Sequence, residues 1–306
     1  MATKRFRGVY AFNATPLKNG GDIIDMDGLR DLAEFVVVHG VHGVVVFGST
    51  GSNGSFTSEE RLAAAKAAVE QVNGRVPVLS GIGSITTKET AELAKAMEDE
   101  AGVDGLLVVP ITYWPLTQDE VCRHYERVAE ATKLPIVLYN NPWTTGVDIL
   151  PPLVNRLNDI DNIVAIKEST SNLTRISEIK RLTKGTMTIF SGWESLTLES
   201  FVAGADGWFC GMTNIAPRES VELFDLAVEK KDLAKAQELF DRIFPLCEFM
   251  CQKSHVRCAH AALEILGRPV GPPRPPIGEL GLEDKAELKR LMEECGLLAA
   301  YARAAE

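Results

Sequence analysis

The chain predicts an α/β fold, a (β/α)8 TIM barrel with a C-terminal helical extension. Three observations carry this. Eight short aliphatic runs recur between Gly8 and about Lys230, a stretch of helical period follows most of them, and most of the runs are apolar without alternation. Continuous apolar strands are covered on both faces, and strands alternating with helices build parallel βαβ units. Eight such units in roughly 220 residues is the size of a closed barrel.

The runs are GVYAF, GVVVF, VPVLSG, GLLVVP, PIVLYN, IVAIKE, MTIFSG and GWFCG, with amphipathic stretches such as SEERLAAAKAAVEQV and TQDEVCRHYERVAEAT between them. An open dinucleotide-binding sheet is the rival. Its glycine fingerprint fails here, because Gly81 and Gly83 are followed by Thr86 at the third position and no acidic strand end comes next. GSTGSNG likewise lacks the lysine of a nucleotide loop. After Lys230 the strands stop. KDLAKAQELFDRIFPLCEFMCQK, VRCAHAALEIL and LEDKAELKRLMEECGLL read as helices, with the proline-rich GRPVGPPRPPIGEL as a rigid surface crossing. The expected division is therefore residues 1–230 as barrel and 231–306 as helices packed on it.

Composition narrows the function. Across 306 residues the formal net charge is −10, so no basic field exists to attract nucleic acid or an anionic membrane. No run of about twenty apolar residues is present to span a bilayer, and the basic start MATKRFRGVYAFN lacks the apolar core of a secretory signal. Six cysteines scattered through a long chain do not form a disulfide framework, which points to a cytoplasmic location.

Lys167 interrupts an otherwise aliphatic strand. If it points into the barrel, alternation sends Ala165 and Ile163 inward too, while Ile166 and Glu168 face the helices. It also closes its strand at the C-terminal end, where barrel enzymes place their chemistry. A buried lysine paired with a carboxylate is the plain alternative. The strand before it sends Val137 and Tyr139 inward by the same count. A lysine beside a tyrosine at a barrel mouth suits Schiff-base chemistry. The amine must be neutral to attack a ketone, removal from water favours the neutral form, and a phenol can move the protons. Strand two ends in FGSTGSNGS, whose hydroxyls and backbone N–H groups can hold a carboxylate without an arginine.

GSTG after strand two, YNNP after strand five and IKE on strand six together resemble the dihydrodipicolinate synthase / N-acetylneuraminate lyase superfamily, pyruvate-dependent class I aldolases. The resemblance runs from Gly8 to the C-terminus. It implies that Lys167 forms an imine with a 2-oxo acid and that Tyr139 shuttles protons. Ser49 and Thr50 bind the 2-oxo acid's carboxylate, Thr50 passing protons to Tyr139, and Tyr113 reaches across a dimer interface to complete the relay. It further implies a homotetramer or dimer, pyruvate with an unknown aldehyde as partners, and no metal or organic cofactor. Gly192 and Cys210, closing strands seven and eight, join Trp143, Thr144 and Glu194 as further substrate-binding candidates.

Two positions depart from the pattern. Synthases of this family carry an arginine shortly after YNxP, and here that position is Thr144, which cannot make a guanidinium's bidentate clamp. Ser52 replaces a usual glutamate. Trp114, Trp143 and Trp193 fall in loops at the C-terminal face while Trp208 lies in strand eight, so the mouth has aromatic character. Glu194 points instead to hydroxyl groups, as acidic residues after strand seven do in sialic-acid lyases. The sequence leaves both acceptors open.

One cluster imitates a metal site. Cys247, Cys251, His255 and Cys258 recur every three or four residues, so a single helix face would carry all four. Such a series spans roughly 16 Å, too far for one tetrahedral ion unless two neighbours take ligands from elsewhere. No metal is expected. His39, His42 and His124 stand alone, and Gly211 alone with Arg218 makes no phosphate site. The expectation is a class I lyase or aldolase; the alternatives are 4-hydroxy-tetrahydrodipicolinate synthase proper and a non-catalytic 2-oxo-acid-binding barrel.

Overall fold

A computed structural model describes residues 6–301. The first five and last five residues, including the start of the basic N-terminus and the end of the expected extension, lie outside it. Eight parallel strands close into a barrel: β1 (Gly8–Phe12), β2 (Gly43–Val46), β3 (Val78–Gly81), β4 (Gly105–Val108), β5 (Ile136–Asn140), β6 (Ile163–Glu168), β7 (Thr188–Ser191) and β8 (Gly207–Cys210). β1 pairs with both β2 and β8, which closes the ring.

The helices between strands are α1 (Met26–Val38), α2 (Ser58–Val72), α3 (Thr87–Ala96), α4 (Gln118–Glu130), α5 (Pro151–Leu157), α6 (Thr174–Leu182), α7 (Thr197–Val202) and α8 (Pro217–Phe224). Their starts are written in the sequence. Thr57 and Thr117 each accept from the backbone N–H three residues on, and Glu60 and Glu120 reach back to the cap, closing two capping boxes. Among the described residues no helix is long and apolar enough to cross a membrane.

Alternation divides the side chains into two cores. Tyr10, Phe12, Val45, Leu79, Leu107, Val137, Tyr139, Ala165, Phe190 and Phe209 fill the barrel, while Ile166 and Trp208 belong to the layer between strands and helices. The inward rings interlock edge to face, Tyr10 with Phe190 at 5.5 Å and with Phe209 at 5.4 Å between centroids. Ile163 does not point inward as strict alternation required. The register jumps from Ile136↔Ile163 to Val137↔Ala165, so β6 carries one extra residue, Val164, and Ile163 falls into the outer layer. A bulge of this kind resets the side-chain parity beyond it.

After the barrel come α9 (Leu233–Lys253), α10 (His255–Ile265), α11 (Leu282–Glu294) and α12 (Leu297–Tyr301). Ser254, at φ 105°, breaks the chain between α9 and α10, so Cys247, Cys251, His255 and Cys258 do not share one helix face. Cys247 and Cys258 are buried in the apolar core, whereas Cys251 and His255 line a cavity at the barrel mouth. α9 packs on the short turn Glu194–Leu196 that follows β7.

Asn214 ties the first strand to the last loop. It donates to Phe12 O and Gly211 O, both at 2.8 Å, and accepts from Ala14 N at 3.0 Å, all in a fully buried position. Each polar group stranded without a partner costs roughly 1–3 kcal/mol. Asn214→Ala is therefore expected to destabilise the fold by about 3 kcal/mol or more, read as a lowered urea midpoint. An unchanged midpoint contradicts this account of the strand closure.

Candidate active site

Lys167 and Tyr139 end adjacent strands in register, Tyr139 opposite Lys167, and both are almost wholly buried. The lysine nitrogen lies 3.6 Å from the centroid of Phe12 and 4.5 Å from that of Tyr139, so its immediate neighbours are rings. Beside it Gly192 has a necessary absence. A Cβ there would sit 2.0 Å from Ser169 Oγ and 2.7 Å from Lys167 Cε, inside any tolerable contact.

The Tyr139 hydroxyl shares a hydrogen bond of 3.0 Å with Ser49 Oγ and accepts another from Asn141 Nδ2 at 3.1 Å. Burial pushes this phenol's pKa up. The charge of Lys167 and the hydrogen bonds from Ser49, Asn141 and Lys167 outweigh that, and the pKa falls below its ordinary value. Ser49 and Thr50 stand on a strained turn. Phe47, just before it, holds φ 57° and Ser52 φ 55°, and a bulky residue in this left-handed region costs free energy that the surroundings must offset. Gly51 O accepts from Thr15 Oγ1 at 2.8 Å, which pins the turn to the loop after β1.

Behind Lys167 and Tyr139, Asn140 Nδ2 donates to Glu168 Oε2 at 3.1 Å and to Asp148 Oδ1 at 3.0 Å, and Thr170 N donates to Glu168 Oε1 at 2.8 Å. Burial raises the pKa of Glu168 despite these bonds and the charge of Arg175. Glu168 faces the helices as alternation required, and its network locks the ends of β5 and β6 together.

The cavity at the mouth encloses about 180 Å³ and brings together Lys167, Tyr139, Ser49, Thr50, Gly192, Glu194, Trp143 and Thr144. Two candidates are not part of it. Cys210 is fully buried on the helix side, its thiol donating to Ser220 Oγ at 3.5 Å, because the inward place in β8 belongs to Phe209. Tyr113 is 83% exposed and stands edge-on to Trp114, outside the cavity of a single chain. Of the tryptophans, Trp143 and Trp193 line the cavity with centroids 6.1 Å apart; Trp114 does not. A larger groove of about 920 Å³ between α3 and α4 contains none of the candidate residues.

Sequence reasoning misses four residues of this cavity, Asn141, Ser169, Cys251 and His255, while Trp193 stands at the aromatic mouth where its loop position puts it. Asn141 was within the YNNP motif. Nothing in the sequence singled out His255 as a partner for Glu194, since the contact joins positions 61 residues apart. His255 Nε2 meets Glu194 Oε2 at 2.7 Å, and Gly211 N donates to Glu194 Oε1 at 3.0 Å. Burial raises the Glu194 pKa, but the charge and hydrogen bond of His255, the charge of Lys167 and the Gly211 N–H hold it below the ordinary carboxylate value. Burial likewise lowers His255, and the Glu194 charge together with the Cys251 contact overturns this and raises it to about 10. Each partner thus favours the charged form of the other. Glu194, Thr50 and His255 converge on Gly211, where an added Cβ would lie 3.1 to 3.3 Å from all three.

A closed parallel barrel with a ring-enclosed lysine and a hydrogen-bonded tyrosine at its C-terminal mouth defines a barrel lyase. The model of the dihydrodipicolinate synthetase family matches residues 5–295. The chain is 37% identical over 294 residues to a 4-hydroxy-tetrahydrodipicolinate synthase of Methanocaldococcus jannaschii, covering 96% of this chain and 100% of that one. It is 36% identical to the synthase of the same name from Syntrophus aciditrophicus, covering 96% and 99%. Among solved structures, dihydrodipicolinate synthase from Aquifex aeolicus superposes with TM-score 0.91 at 33% identity, over 95% and 99% of the two chains. The chloride-inhibited, pyruvate-complexed synthase from Acinetobacter baumannii gives 0.90 at 31% identity with the same coverage. The chain belongs to the dihydrodipicolinate synthetase family, a family of pyruvate-dependent class I lyases.

Two outcomes test this geometry. With Lys167 as the imine-forming amine, Gly192→Ala, which displaces its side chain, should lower pyruvate-dependent borohydride trapping by at least about tenfold, since a misplacement of about 1 Å costs on the order of 10²-fold. A trapping rate equal to the parent's contradicts the close approach. The raised pKa of His255 stabilises the fold fully below its ordinary value, and that contribution is lost as pH rises through about 10. The lowered pKa of Glu194 adds stability that is lost as pH falls through the acid range. Glu194→Gln should therefore bring the His255 titration, followed by its ring proton resonances, down by more than one pH unit; a titration still near 10 would show that Glu194 is not its cause.

Proposed function

We propose that this protein is a class I lyase or aldolase in which Lys167 forms an imine with pyruvate or a pyruvate-derived 2-oxo acid. The observation that carries this is the lysine nitrogen enclosed by Phe12 and Tyr139 at the barrel mouth. The amine adds to the C2 carbonyl to give a carbinolamine, and loss of water leaves the iminium. Tyr139 supplies and recovers the protons, exchanging them with Ser49 through the bond they share, in the place expected of Thr50, whose hydroxyl lies instead beside Gly211 and Glu194. Ser49 and Thr50 receive the 2-oxo acid's carboxylate. Ser169 Oγ, buried without a hydrogen-bond partner in the same cavity, is free to meet a substrate oxygen. The iminium then accepts the electron pair of the bond broken beside it, whether carbon–carbon or carbon–oxygen.

Glu194 and His255 form the polar side of the second-substrate region, with Trp143 and Trp193 as its apolar side and Thr144 on its rim. An unknown aldehyde with a hydroxyl or carbonyl group fits that mixture. Tyr113 is assigned to a neighbouring subunit's cavity, which makes the working unit a homodimer or homotetramer in the cytoplasm. The helices after residue 230 belong to the same catalytic unit, because His255 comes from them. A second reading, 4-hydroxy-tetrahydrodipicolinate synthase proper, is supported by the names of the relatives. Thr144 weighs against it, since it offers no cation for a second carboxylate.

Lys167→Ala should abolish the pyruvate adduct seen by mass spectrometry after borohydride reduction. Peptide mapping of the parent that placed the adduct on another lysine would end this assignment. Tyr139→Phe should still form some adduct while turnover falls by about 10²–10⁴-fold, measured once the aldehyde is found by screening.

A further inference from the structure

We infer that Glu194, Cys251 and His255 form a binding site for a thiophilic divalent cation of the zinc class, and that its occupation closes the substrate cavity. The three residues come from the turn after β7, the last turn of α9 and the first residue of α10. Their oxygen, sulfur and nitrogen donor atoms all lie within 4.8 Å of one another. Tetrahedral zinc, with bonds of about 2.0–2.3 Å, sets its ligands roughly 3.3–3.7 Å apart. Small side-chain movements close that difference.

The donor types are those zinc prefers, and a set of three protein ligands leaves a fourth position for solvent or substrate. All three side chains line the substrate cavity, so a cation they hold lies in its wall. Two further features make it a built site. The second oxygen of Glu194 is already held by Gly211 N at 3.0 Å, the outer support that fixes a ligating carboxylate. The break at Ser254, with φ 105°, turns His255 out of the α9 helix and against Glu194. A cation there displaces the proton between His255 and Glu194 and the Cys251 thiol proton, both released to solvent, and binds the thiolate. Of the six cysteines, Cys251 alone is not buried, so it is the thiol open to a metal.

The consequence for activity rests on the imine reading above. A bound cation occupies Glu194 and His255, which that reading gives to the second substrate, and fills part of a cavity of only about 180 Å³. Entry to Lys167 is then obstructed.

The test uses the full chain, freed of metal with a chelator and kept reduced with a phosphine. Cobalt(II) is titrated and followed by absorbance. One equivalent should produce the near-ultraviolet band of thiolate-to-cobalt charge transfer together with the intense visible bands of tetrahedral cobalt. Cys251→Ser should lose the charge-transfer band, and His255→Gln should weaken cobalt binding by at least about tenfold. Circular dichroism of both variants checks that they fold. No thiolate band in the parent, or the same band in Cys251→Ser, overturns the site. Zinc(II) should then slow pyruvate–borohydride trapping of Lys167 in the parent but not in Cys251→Ser. Trapping unchanged by saturating zinc overturns the closure. If the metal-free parent traps no pyruvate, it is the imine reading that fails, and the cobalt titration still decides the site.

Discussion

The proposed imine chemistry requires a lysine nitrogen brought out of water inside a closed barrel and still able to reach a reactant, and much of the structure fits that requirement. The amine is enclosed by the faces of Phe12 and Tyr139, which attract a cation modestly and solvate it far less than water does. Holding it there requires β5 and β6 to end level. The bulge at Val164 produces that level end, since it shifts Tyr139 into register with Lys167 and Val137 with Ala165. The buried Asn140–Glu168 pair then fastens the two strand ends from the helix side. Room for the side chain comes from Gly192 on the neighbouring strand's exit.

The same demand explains why strain collects at the turn after β2. Phe47 takes a left-handed backbone conformation that a large side chain normally avoids. In return Ser49 reaches the Tyr139 hydroxyl, and that bond helps the charge of Lys167 hold the phenol below its ordinary pKa against burial. A phenol poised in this way gives and regains a proton more readily than one left to desolvation alone. The local cost at Phe47 is thus coupled to the acidity of the Tyr139 hydroxyl through one hydrogen bond.

How much of this the sequence carried depends on the range of the interaction. Strand alternation reads correctly wherever pairing is regular, which is why it places Lys167, Tyr139 and Ala165 inward and Ile166 outward. It fails at Ile163, because a bulge changes parity without leaving a compositional mark. Cys210 was assigned by its place at a strand end, yet Phe209 holds the inward position there. The motifs GSTG, YNNP and IKE are short and local, and they carried the reacting centre. The Glu194–His255 contact is neither short nor local. It depends on a helix break at Ser254, a residue that has no strong breaking tendency, and on α9 packing over the turn after β7.

That long-range contact changes what the departure at Thr144 means. Losing a cation at the rim after YNNP removes a carboxylate anchor, which by itself describes only a weaker site. The imidazolium of His255 restores a positive group to the cavity, but at a different wall and neutralised by Glu194. A free carboxylate there would compete with Glu194 for the same donor, and the buried carboxylate would lose its partner, a costly exchange. A neutral hydroxyl or carbonyl oxygen meets no such penalty, since it can join the pair as both donor and acceptor or as acceptor alone. With the second substrate placed at this wall as proposed, the charge arrangement disfavours a second anionic group relative to an uncharged polar one. His255 belongs to the C-terminal helices, which thereby form part of the cavity wall rather than only a cover for the barrel.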